Sequence, residues 1–461
     1  MVFYVLIWLI VLGFSIYFFK KASGTLSLTK LNLHSIIFYY SFLVSSFIGS
    51  LLIVLEIDES YIIAKLIFPE QSRIIGFTFV CIVMVLFPCV MFLVSKLLGF
   101  RANKEFDLYW NKEIDHGFSS KGKEKEFFWV FLGLTFLSLG SIIYTFAHIE
   151  EVPIFAALFN SSTDLAVLRI EAKSGFTGNV FIRNIFAIAL TPILSLIAYI
   201  YKVKTKDLKW SILFYLLFIG AILINIYDFQ KSPVIFYFAM FLLVRMYIGK
   251  TRLNPKLLLV LVGAVISYLL LMYSTLGVKG SDQFLSYSTG PIGRVILTQI
   301  APMYVYVDRY GDVYPFLYEK GLPESILEVY GIDPVRSARV LMEDLFPEKV
   351  VEGTAGVLNT LYVGEAYATF GVAGVILGTI YIAAMIQILY IIFLRLPKHP
   401  VYISLFTFFI VNIPRALVGG FSDLLVNPIW ILLTLIVAGS YLIISLRDSW
   451  SRYTADAKGR E

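Results

Sequence analysis

Arginine gathers where this chain turns polar. Between Leu276 and Gly356 lie Arg294, Arg309, Arg336 and Arg339, in a stretch that is also rich in tyrosine. Arg183 and Arg415 stand near the ends of two apolar runs. Guanidinium forks suit bidentate contacts with phosphate and stay charged at physiological pH. Arg336 and Arg339 are three apart, so one face of a helix would present both. Just downstream, Glu365 opens an apolar run between Gly364 and Ala366, with Asn359 and Tyr367 close by in sequence. A carboxylate there can pair with an arginine or take a proton from an attacking hydroxyl, and Asn359 and Tyr367 can orient hydroxyl groups. The set offers cationic contacts for an anion and a carboxylate that could serve as a base.

The elements that must hold these residues are mostly apolar. Of 461 residues, 59% are hydrophobic and 15% charged, against roughly 25% charged in soluble proteins, and the mean hydropathy is +0.81. Apolar runs fall near 2–19, 33–56, 73–96, 127–147, 179–201, 209–226, 232–249, 257–276, 367–394, 401–420 and 429–446. Each approaches the ~20 residues a spanning helix needs, which predicts an all-α polytopic membrane protein of about eleven spans. A membrane barrel would show short alternating segments instead. The expected organisation is an N-terminal bundle over 1–276, a large helical loop over 277–356, C-terminal spans over 357–446 and a tail over 447–461.

The net charge of +6 reads as the excess of Lys and Arg in loops on one side of a membrane rather than as a nucleic-acid footprint. Segment 97–126 is the clearest of these loops. The bias puts it, with 20–32, 202–208, 250–256, 395–400 and the tail, in the cytoplasm, and 57–72, 148–178 and 277–356 outside. No positive residue precedes the first run and Lys20–Lys21 follow it, the reverse of a cleavable signal peptide.

Bland readings compete at each candidate. Arg339 has Glu343 one turn on, and local pairing is common. Arg415, in VNIPRALVGG, is costly at membrane depth and should face a cavity; Pro414 and Gly419–Gly420 predict an irregular helix end there, with snorkelling to headgroups as the alternative. His148, Glu150 and Glu151 read as a solvated helix end, and Asp228 with Lys231 as a turn. Asp308 and Asp312 flank Tyr310 as further bases. Gly371, Gly374 and Gly378 suit close helix packing. Cys81 and Cys89 read as small packing residues. The tyrosines, including Tyr287, Tyr304, Tyr306, Tyr310 and Tyr314, suit an interfacial belt or stacking on sugars. The sequon at Asn160 carries no weight without a host. Asp333-Pro334 predicts a helix N-cap and first turn, with Ala338, Leu341, Met342 and Leu345 on the buried side. The segment PIGRVILTQIAPMYVYVDRYGD predicts a helix packed on the bundle or lying at the membrane surface. No metal ligand set, phosphate loop or cofactor motif is evident, and no cofactor is expected.

The many spans, the large outward loop and the phrase NTLYVGEAYATFGVAGVILG resemble the Wzy-type oligosaccharide repeat-unit polymerases, part of the O-antigen and exopolysaccharide polymerase group. The detail lies between about Leu341 and Gly378 and in PRALVGGFSD. The resemblance implies a GT-C-like architecture in the cytoplasmic (inner) membrane, with the active site facing the periplasm or exterior. It implies transfer of a glycan from undecaprenyl diphosphate, the leaving group, onto the sugar hydroxyl of another lipid-linked repeat unit. Glu365, Arg294 and Arg415 would then be catalytic, and Arg183, Arg309, Arg336, Arg339, Asn359 and Tyr367 would contact substrate. Partners implied are the undecaprenyl-diphosphate-linked glycan, membrane lipid, a chain-length regulator and a flippase, with no nucleic acid. The alternatives are a lipid-linked oligosaccharide ligase of the same architecture and a polysaccharide transporter or flippase. A transporter would show repeated halves and mid-membrane polar residues; a ligase would differ only in its product.

Overall fold

The computed structural model describes residues 1–115, 118, 120–159, 168, 172, 175–228, 230, 232–275, 290–353 and 355–458. His116, the Asn160 sequon, Lys231, Tyr287 and nearly all of 161–175 lie outside these. Among the described residues the secondary structure is helical, with no strand. In chain order the helices that matter are α1 (Val2–Ser23), α2 (Leu33–Val54), α3 (Pro69–Leu97), α4 (Lys121–Ala147), α5 (Ile182–Thr205) and α6 (Leu208–Ile226). The shorter α7 (Ser232–Tyr247) and α8 (Pro255–Thr275) follow. In the polar stretch lie α9 (Ala301–Arg309) and α10 (Ser337–Leu345). The C-terminal set is α11 (Val363–Arg395), α12 (Pro400–Leu417) and α13 (Pro428–Lys458).

Among the described residues nine helices are long and apolar enough to cross a membrane, and two more apolar helices are shorter, Ser232–Tyr247 and Pro255–Leu271. The protein is a polytopic helical membrane protein, and the apolar runs of the sequence each carry helix. Start signals are local. Asn32 caps α2 through Ser35 N (2.8 Å) while its own N–H donates to Ser35 Oγ (2.8 Å), satisfying two end groups reciprocally. Pro69 opens α3 where its missing N–H costs nothing.

Two compact units cut across chain order. The first comprises Met1–Trp110, Lys279–Arg395 and Ile410–Asn427; the second comprises Asn111–Val278, Leu396–Phe409 and Pro428–Glu461. In the first, α3 packs against α1 and α11, and α9 packs against α3 and α11. Phe19, Phe42 and Phe87 fill its aromatic core, with Phe42 and Phe87 centroids 4.8 Å apart. Two polar side chains inside it find donors and acceptors within the bundle, as membrane interiors favour: Gln387 Nε2 donates to Ser95 Oγ (2.8 Å) and Tyr390 OH to Ser23 O (2.8 Å). In the second unit, α6 packs on α5 and α4, Trp210 stacks on Tyr201 at 4.2 Å, and His399 stacks on Tyr441 at 3.9 Å.

The described part of the polar stretch, from residue 290 on, is built into the first unit. Every residue of α9 is buried, because its sequence alternates Tyr, Val and Met on all sides, so the expected packing on the bundle holds. The helix predicted from PIGRVILTQIAPMYVYVDRYGD is interrupted: a π-helical turn over Arg294–Thr298 precedes α9. That turn meets α2 at Gly49, where an added Cβ would strike Ile296 O and lie 2.7 Å from Ile300 Cγ2. Gly49→Ala is expected to destabilise the first unit by about 1–3 kcal/mol through overpacking, measured as a lower thermal midpoint in detergent; an unchanged midpoint would refute this contact. The predicted helix start at Asp333-Pro334 is corrected. The helix begins at Ser337, and Arg336 is its N-cap in extended conformation. The reason is tertiary: Val335 N donates to Lys320 O (2.8 Å), which holds the chain off helix. The expected buried side of α10, with Ala338, Leu341, Met342 and Leu345, is as predicted.

Candidate functional site

Glu365 lies in the first turn of α11 and is 6% exposed. Its Oε2 accepts from Phe421 N at 2.7 Å, with longer contacts from Ser422 N (3.4 Å) and Ser422 Oγ (3.5 Å). A Cβ on Gly420 would sit 2.7 Å from that same oxygen, so only glycine lets the turn close this tightly on the carboxylate. The turn follows the end of α12, whose terminal carbonyls are taken up by other segments. Ser41 Oγ donates to Pro414 O (2.8 Å), Tyr362 N to Leu417 O (2.8 Å) and Gln299 Nε2 to Val418 O (2.7 Å). The irregular end expected around Pro414 and Gly419–Gly420 therefore exists, tied to α2, to the chain before α9 and to α11. α11 itself bends at Phe370–Gly371, where Gly371 has φ +60° and ψ −146°, a conformation open only to glycine.

Two tyrosines of the polar stretch stand beside this carboxylate. Tyr306 and Tyr310 stack with centroids 6.1 Å apart, and Tyr306 OH donates to Leu358 O (3.3 Å). Burial first, and the Glu365 charge second, push the Tyr306 phenol well above the ordinary tyrosine range. Burial, then Tyr314 and Glu365, raise Tyr310 likewise. Both therefore stay neutral. The Tyr310 OH is buried with no hydrogen-bond partner, a costly arrangement that calls for an explanation at the site.

The arginines divide sharply. Arg336 is exposed and its guanidinium makes no ion pair or hydrogen bond among the described residues, yet its charge acts on Glu365 and Tyr306. Arg294 is exposed on the π-helical turn, also without an ion pair among the described residues. Arg415 Nη1 donates to Asn412 Oδ1 at 3.0 Å. Arg309 is consumed by structure: it pairs with Asp308, with Asp344 (3.0 Å) and with Lys65 O (3.0 Å), and is 7% exposed. Arg339 pairs with Glu343 (2.6 Å) and donates to Ala355 O (3.1 Å). Arg336 and Arg339 do not share a helical face, because Arg336 precedes the helix.

Other expected contacts also separate. Arg183 belongs to the second unit; it is 9% exposed, its guanidinium lies 4.4 Å from the Phe176 ring centroid, and Nε donates to Asn184 Oδ1 (3.2 Å). Asn359 is exposed. Tyr367 packs on Phe316 (5.5 Å) and Phe79 (5.3 Å); two positions from Glu365 on a helix, it points to another side. Asp308, named with Asp312 as a further base, is 1% exposed and accepts from Ile67 N, Phe68 N and Ser72 Oγ. His148 Nδ1 lies 2.9 Å from Tyr144 O, and no three metal-ligating side chains converge among the described residues.

The groups actually at the site are thus Glu365, Arg336, Tyr306, Tyr310 and the Gly420–Ser422 turn. The paired glycines before Phe421 were the one sequence signal of that turn. No protein-family model matches this chain, and no curated protein or solved structure is significantly similar to it.

Proposed function

We propose that the chain is a membrane glycosyltransferase that polymerises undecaprenyl-diphosphate-linked oligosaccharide repeat units at the outer face of the cytoplasmic membrane. The observation that carries this reading is an uncommitted guanidinium, Arg336, within charge range of a carboxylate buried at the start of a membrane span. The acceptor hydroxyl oxygen attacks the anomeric carbon of the donor. Its proton passes to Glu365, whose Oε1 is not used by the turn. The bond from the anomeric carbon to the phosphate oxygen breaks, and undecaprenyl diphosphate leaves with the electron pair. Arg336 meets the charge that develops there. The donor brings its own activated leaving group, so the reaction needs no nucleotide sugar. The lysine-rich segments, on the positive-inside bias, favour an outward-facing polar stretch. A flippase that delivers the lipid-linked unit and a chain-length regulator are the partners such a reaction calls for.

Purified protein incubated with a lipid-linked repeat unit, without nucleotide sugar, is expected to yield a ladder of longer lipid-linked glycans on gels. Arg336→Ala is expected to slow ladder growth by about 10²–10³-fold, the usual effect of removing one transition-state charge contact. Arg339→Ala, which removes an exposed pair of small worth, should leave the ladder standing. No ladder from the intact protein, or an unchanged ladder from Arg336→Ala, would refute the proposal. Glycan appearing on a new anchor instead of on carrier lipid would identify a ligase.

A further inference from the structure

Past its bend, α11 carries a trough of about 360 Å³ with almost wholly apolar walls. Gly374 and Gly378, one turn apart, lie along it together with the Phe421 ring. Phe370 stands at one end with Leu322, since neighbouring Gly321 packs on Thr369. Tyr381 and Leu425 stand at the other, joined by the Tyr381 OH to Leu425 O bond (2.9 Å). From Phe370 to Tyr381 an α-helix rises about 16 Å, half the thickness of a bilayer core. Leu377, 64% exposed, and Tyr381, 46% exposed, form an open rim on a membrane-spanning helix.

Glycine keeps the trough open and joins it to the site. A Cβ on Gly378 would lie 2.7 Å from the Phe421 ring. Phe421 is also the residue whose N–H Glu365 holds, so one backbone turn serves both the trough and the carboxylate. The shape selects the occupant. A helix is about 10 Å across and cannot enter. A two-chain lipid would leave one chain outside. One extended hydrocarbon chain fits, entering from the polar edge, where Lys320 is exposed beside Leu322.

We infer that this trough seats the single polyisoprenyl tail of a lipid-linked substrate, with its phosphate end at the Leu322 edge. The assignment rests on the proposed use of such a substrate, but its test does not require transfer. Undecaprenyl monophosphate, which carries no glycan, is titrated against the purified full-length protein in detergent. Ala373→Trp fills the trough from an exposed wall position and is expected to weaken binding about tenfold or more. Val372→Trp, at a 52% exposed position on the same helix that does not line the trough, should bind as the unaltered protein does. Equal binding by Ala373→Trp, equal loss in both variants, or displacement of the probe by equimolar dioleoylphosphatidylglycerol would overturn the assignment. If the binding pattern holds while the ladder assay fails, the tail seat stands and the polymerase reading falls.

Discussion

Glu365→Gln is expected to leave the protein folded and inserted while slowing glycan transfer by about 10²–10⁴-fold, the usual range for loss of a general base. The amide keeps a carbonyl oxygen for Phe421 N, which now donates to Oε2 at 2.7 Å, so the turn can close. What is lost is the negative charge that interacts with Arg336 and the capacity to accept a proton. Glu365→Ala removes the acceptor as well. It leaves the buried Phe421 N–H unpaired, at a cost of about 1–3 kcal/mol, and should lower both the thermal midpoint and the rate. Rates of lipid-linked ladder growth and midpoints of unfolding, measured on the same preparations, separate the two roles. If Glu365→Gln transferred glycan at the normal rate with a normal midpoint, the carboxylate would be only the holder of the Gly420–Ser422 turn.

The contrast between span and site shows what a sequence can disclose. Long apolar runs declare themselves because every residue in them bears the signal, and helix occurs along each. The carboxylate at the head of α11 was visible too, since a lone acid opening an apolar run is conspicuous. Its partners were not. They are backbone N–H groups 56 residues downstream, and a backbone donor has no side-chain signature; only the adjacent glycines hint at a tight approach. The arginines illustrate the same limit. Arg309 and Arg336 look alike in sequence, yet one is bound by Asp308, Asp344 and Lys65 O and the other is uncommitted. Only Asp308 is a local partner of Arg309; Asp344 and Lys65 come from distant parts of the chain, which the sequence does not place beside it. The misplaced start of α10 has the same origin: local capping preference at Asp333-Pro334 yields to the bond between Val335 and Lys320. Tyr306 and Tyr310, which share a surface-belt composition, turn out to be buried within reach of the Glu365 charge.

Asp308→Ala should be the most destabilising single change in the first unit, by about 3–5 kcal/mol, as for a broken buried ion pair. Asp308 is 1% exposed and ties three parts of the unit together: the Ile67 and Phe68 N–H groups (2.8 and 2.7 Å), Ser72 Oγ (2.9 Å) at the start of α3, and the Arg309 guanidinium at the end of α9. Without it, two backbone donors are orphaned and a buried cation keeps only Asp344 and a carbonyl. Asn is no rescue, because its amide NH₂ would face groups that are themselves donors. Since α9 carries Tyr306 beside Glu365, loosening its end should also depress transfer. The chain supplies its own probe: Cys81 is buried and Cys89 half-buried, so a thiol-reactive fluorophore reports unfolding on heating. Asp312→Ala, at an exposed position four residues on, serves as the control and should match the unaltered protein. A normal midpoint for Asp308→Ala would mean that the segment before α3 is held by apolar packing alone, and that the ordering of α9 against Glu365 has another cause.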